Sequence, residues 1–96
     1  MDIFIDNDVK AQLKEAYDYI RQNSPQNARK IIDRITFSIS ELRKNPEKYP
    51  PVKYRLDKDS SYRAYEIERF RIAYNISPLQ IRIIRIRHTS REPLQY

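Results

Sequence analysis

The chain has 96 residues, 40% hydrophobic and 33% charged, with 19 Lys and Arg against 13 Asp and Glu for a formal net charge of +6. This length suits one domain with a modest core, expected to span residues 1–96, and the basic balance points to anionic partners such as nucleic acid or an acidic protein segment. With no Cys, one His and no Gly, disulfides, thiol catalysis, Cys- or His-rich metal sites and glycine-rich phosphate loops are all removed, so no metal or cofactor is expected.

The chain opens Met1-Asp2-Ile3-Phe4-Ile5-Asp6. It lacks the basic start and long apolar run of a signal peptide. No stretch approaches the roughly 20 apolar residues that span a bilayer. A cytoplasmic location without a membrane partner is expected. Ile3-Phe4-Ile5 reads as a first strand, and Asp6-Asn7-Asp8 offers a helix N-cap. Val9, Leu13, Ala16, Tyr17 and Ile20 then recur at helical spacing, giving a first helix that ends near Gln22. At Asn23-Ser24-Pro25 the helix breaks. Ser24 can cap a second helix with Pro25 at its first position, where a missing N–H costs nothing. Ala28, Ile31, Ile32, Ile35, Ile39 and Leu42 share one face of that helix, and Asn45-Pro46 stops it. Phe37 lies off this stripe and is expected to be partly exposed or to meet a partner. The short turn between the helices predicts an antiparallel hairpin.

Residues 46–61 form a polar connector. Tyr62-Arg63-Ala64-Tyr65-Glu66-Ile67 is rich in strand formers, and Glu68-Arg69 is a two-residue turn without the usual Asn-Gly signal. Phe70, Ile72, Tyr74 and Ile76 alternate with Arg71, Ala73 and Asn75, the period of a half-buried strand. Ser77-Pro78-Leu79 turns the chain into a final strand, Ile81 to Arg87. The alternation slips at Ile83-Ile84, which predicts a bulge or a strand buried partly on both faces. The fold class is therefore α+β, in the order β-α-α-β-β-β, with a helical hairpin packed on an antiparallel sheet.

Chemistry concentrates in the last third. Arg63, Arg69, Arg71, Arg82, Arg85, Arg87 and Arg91 crowd there, interleaved with Tyr62, Tyr65, Tyr74 and Tyr96. Arginine forks bind phosphate and tyrosines stack on bases, so the cluster reads as a nucleic-acid footprint. The same residues also fit a solvated face with cross-strand Arg–Glu pairs. His88 ends the last strand, where a rigid element can hold a reactive group at solvent; a lone His also serves as a structural group. RNA cleavage without metal needs a base for the 2′-hydroxyl, positive charge at the phosphate and an acid for the leaving oxygen. His88, the arginines and Tyr96 supply those parts.

The helical hairpin ending in Leu42-Arg43-Lys44-Asn45-Pro46 is followed by Tyr62-Arg63-Ala64-Tyr65, Phe70-Arg71-Ile72-Ala73-Tyr74 and Ile81-Arg82-Ile83-Ile84-Arg85-Ile86-Arg87-His88-Thr89-Ser90-Arg91. In order and spacing this resembles the RelE/ParE toxin superfamily along nearly the whole chain. The resemblance implies two helices packed on an antiparallel sheet, a role in growth arrest or plasmid maintenance, and a cognate acidic antitoxin. RelE-like members cut mRNA in the ribosome without metal, and ParE-like members poison DNA gyrase. On the RelE-like reading Arg71 matches the phosphate-binding arginine and Arg63 the basic residue of the preceding strand. His88 then matches an acid/base histidine and Tyr96 the C-terminal catalytic tyrosine. Arg85, Arg87 and Arg91 would bind nucleic acid. Two departures stand out: Tyr65 replaces the second basic residue of that strand, and Arg87 replaces a leucine of the ParE-like final strand. The expected function is ribosome-dependent mRNA cleavage, with gyrase inhibition as the alternative.

Overall fold

The computed structural model describes residues 2–52 and 62–89. Strand β1 (Asp2–Ile5) leads into helices α1 (Asn7–Asn23) and α2 (Pro25–Glu41), followed by strands β2 (Tyr62–Ile67), β3 (Phe70–Ile76) and β4 (Gln80–His88). The Asp6 carboxylate caps α1 by accepting the Val9 N–H at 3.0 Å, satisfying one of the donors that a helix start leaves open. Ser24 stands before α2 with Pro25 in the first turn, but its hydroxyl makes no backbone cap. It accepts the Asn27 side-chain amide instead, at 2.8 Å. The two helices pack as the hairpin that their short connection requires.

The sheet order is β1-β4-β3-β2. β2, β3 and β4 form the antiparallel meander, and β1 joins in parallel beside β4, with Ile3 opposite Ile81. Glu68 and Arg69 make the two-residue turn between β2 and β3, both with positive φ, 52° and 67°. That is the backbone a twisted hairpin demands and the one that Asn-Gly adopts more easily. Ile84 is an extra residue in β4: Ala73 faces Arg85 whereas Tyr74 faces Ile83. The break in alternation at Ile83-Ile84 is thus a bulge.

Helix and sheet share one core. Val9 and Ala16 from α1, with Ala28, Ile35 and Ile39 from α2, are buried together with Phe70, Ile72, Tyr74, Ile81, Ile83 and Ile86. Leu42, just past α2, is buried with them, and Phe37 points off the stripe at 65% exposure. No helix among the described residues is long and apolar enough to cross a membrane.

Candidate functional site

Successive residues of a strand point to opposite faces, so the buried set assigns every strand residue a side. Phe70, Ile72 and Tyr74 face the helices, which leaves Arg71, Ala73 and Asn75 on the open face. On β4 the bulge resets the pattern: Ile83 and Ile86 face the helices, and Arg85 and Arg87 join Arg71 on the open side. Arg71 lies directly opposite Arg87, and Arg85 opposite Ala73. Like charges paired across two central strands are unfavourable by themselves, and a carboxylate facing them offsets part of the repulsion. On β2, Glu66 faces Arg71 and Ala64 faces Ala73. Two alanines thus stand at the centre of this face, where Ala64 is buried at 8% exposure and Arg71 is half-buried with its Nε shielded. Arg82 belongs to another group, since it pairs with Asp6 at 3.2 Å and stacks over Phe4 at 5.2 Å.

Arg63 is on the other side. It faces Tyr74 in the ladder and donates from Nη1 to the carbonyls of Tyr49 and Glu47. Tyr74 donates to the Pro46 carbonyl at 2.7 Å, and the Tyr49 ring stacks on Tyr65 at 4.1 Å. Arg63 therefore belongs to a polar clasp that holds residues 46–49 against the end of the helices. Burial pushes the Tyr65 and Tyr74 hydroxyls up to about 12, so both keep their protons and act as donors. The Ser38 hydroxyl gives its proton to the Ile35 carbonyl at 2.7 Å, which leaves Tyr65 to donate to Ser38 at 2.8 Å.

His88 also faces the helices. Its ring meets Tyr19 edge-on at 4.9 Å and Phe70 at 5.0 Å, so it is set between two aromatic rings at the end of the core. Of the residues expected to act in catalysis, Arg71 is on the open face and Arg63 and His88 are on the helix side. Tyr96 lies outside the described residues, as does Arg91. Arg85 and Arg87 do stand with Arg71, as the strand period indicates. Strand period alone also puts Arg63 and Arg71 on opposite faces once the two-residue turn sets the register. Nothing in the sequence marks Tyr49, Pro46 and Arg63 as one unit, because the clasp joins a connector to a strand that follows it. Among the described residues no group of three or more His, Cys, Asp or Glu is placed to hold a metal.

Residues 3–93 match the family model described as the ParE toxin of the type II toxin–antitoxin system parDE, and the chain belongs to that family. Among solved structures it is similar to a chain of the chromosomal ParDE toxin–antitoxin system from P. aeruginosa, with a TM-score of 0.75 and 19% identity. The match covers 94% of this chain and 97% of the other. No curated protein matches the chain.

Proposed function

We propose that this ParE-family toxin arrests growth by binding DNA gyrase through its open arginine face, without chemistry of its own, and that a cognate acidic antitoxin neutralises it. The observation that carries this reading is the division of the expected catalytic set. Metal-free RNA cleavage needs its cation, base and acid around one phosphate. Here Arg71 is separated from Arg63 and His88 by the sheet itself, and both of those have structural partners. Arg71, Arg85 and Arg87 form a surface suited to steering and holding an acidic partner. One observation favours ribosome-dependent mRNA cleavage instead: Arg71 and Arg87 sit side by side in register, as two forks on one phosphate require.

The two readings part in a direct assay. Purified toxin is added in parallel to gyrase with relaxed plasmid and to translating ribosomes with a defined mRNA. Lost supercoiling with intact mRNA is the expected result. Codon-boundary cuts with unimpaired gyrase would sink the proposal and return Arg71 to a catalytic role.

A further inference from the structure

A second feature lies at the edge of the sheet. β1 pairs with β4 only from Gln80 to Ile83, whereas β4 runs on to His88. Along residues 84–88, no described strand covers that edge. The ladder to β3 shows where its backbone groups point. The Thr89 N–H bonds the Arg69 carbonyl at 2.9 Å, and antiparallel pairs alternate between hydrogen-bonded and not. The N–H and C=O of Ile86, opposite Ile72, are thereby directed away from β3. The Ile86 N–H is met there by a side chain: Gln12 Oε1 of α1 accepts it at 2.7 Å. A glutamine amide has the chemistry of a peptide group, and it stands where the carbonyl of a neighbouring strand would stand. Beside it is an open cleft of about 480 Å³ between α1 and this edge. The small Ala11 and Ala16 leave room on the helix side, Asp8 and Glu15 rim it there, and Arg85 and Arg87 line the strand side.

We infer that residues 84–88 of β4 are a docking edge for an extended peptide segment of a partner protein, which pairs with the Ile86 backbone in place of Gln12. The walls specify its side chains. In a strand added here, alternate residues fall beside Arg85 and Arg87 and are acidic. The residues between them face Ala11 and Ala16 under the Asp8 and Glu15 rim, so they are small and apolar, never acidic. The same two carboxylates repel phosphates, and a nucleic-acid strand has no ladder of amides to offer an edge. The cleft therefore fits a peptide and not a nucleic acid. The inference stands on the edge itself and is independent of which target the toxin meets.

The test uses a capped peptide alternating Glu with Val over seven residues, titrated into the isotope-labelled full chain with amide resonances followed. The expected result is a shift and slowed hydrogen exchange at Ile86. Binding weakens at least tenfold in the Arg85→Glu/Arg87→Glu variant, is absent for a Lys–Val peptide, and tightens several-fold in Gln12→Ala, where the competing amide is gone. Methylating the peptide nitrogens of the valines abolishes binding if the strand adds antiparallel to β4, and methylating those of the glutamates does so if it adds in parallel. An Ile86 amide unmoved at millimolar peptide overturns the inference and leaves Gln12 a structural plug of a bare edge. A peptide indifferent to both methylations also overturns it, since no ladder would then hold it. The gyrase assay is untouched by either outcome.

Discussion

Arg63 and Arg71 have the same chemistry and different duties. Arg63 is committed to two carbonyls of the connector, Glu47 and Tyr49. Replacing it with Met removes those bonds, one part-buried to Tyr49 and one exposed to Glu47, a cost of about 1 kcal/mol. We expect Arg63→Met to lower the unfolding midpoint in urea by a corresponding amount while the folded fraction still inhibits its target. Arg71 is on the face away from the helices, half-buried and opposite Glu66, and Arg71→Ala is expected to abolish inhibition while the chain still folds. A variant pair with the opposite pattern would mean that the faces are assigned the wrong way round. His88 offers a third check at this scale. Its ring fills a slot between Tyr19 and Phe70, so His88→Phe should keep growth arrest on induced expression. Loss of arrest with an unchanged fold would point to a proton-transfer role.

At the scale of elements, the caps and turns show where local chemistry is strong and where it is strained. Asp6 holds the start of α1, and the Val9 N–H bond, aided by Arg82, keeps its carboxyl below the ordinary 3.8. A carboxylate with a depressed folded pKa contributes stability above the unfolded value, and that contribution is lost as pH falls through the folded one. Asp6→Ala is therefore expected to lower the melting temperature at neutral pH. The difference from the parent chain should vanish below the folded pKa, in strongly acidic solution, and a gap that persists there would deny the cap its role. The β2–β3 turn is the strained case. Glu68 is anchored by Arg34 at 2.8 Å, and the Arg69 carbonyl takes both the N–H and the hydroxyl of Thr89. The tertiary contacts thus hold two residues with side chains in a region that costs each of them about 1–2 kcal/mol. Arg69→Gly removes that penalty at one of them while keeping the Glu68 ion pair. A gain of roughly 0.5–1 kcal/mol in chemical denaturation is expected after the added entropy of the unfolded glycine.

For the whole molecule, the parallel β1–β4 pair closes the chain on itself, joining the first strand to the last. Such a non-local pairing incurs its loop-closure entropy before its contacts form, so it is expected to form late in folding. Ile3 packs against the core from this strand. Ile3→Ala should accordingly destabilise mainly by faster unfolding, with the folding rate little changed in stopped-flow experiments. A slowed folding limb would place β1 in the nucleus.

The amino-acid sequence by itself determined the elements of this protein. Val9 to Ile20 and Ala28 to Leu42 repeat at the helical period, and Phe70 to Ile76 alternate at the strand period. Asp6 and Pro25 mark helix starts, Glu68-Arg69 the place of a turn and Ile83-Ile84 a break in the strand period, which the pairing with β3 resolved as a bulge. The resemblance carried by the final strands pointed to the toxin superfamily, since order and spacing are linear properties. Only the tertiary structure decided the rest. It added β1 beside β4, bound the connector to Arg63 and Tyr74, and set His88 between two aromatic rings. It also left Ile86 to a glutamine of α1. In each of these cases the two partners come from separate elements, and which face or edge meets which depends on how helices and sheet bury a common core, a condition that no local period of the sequence encodes.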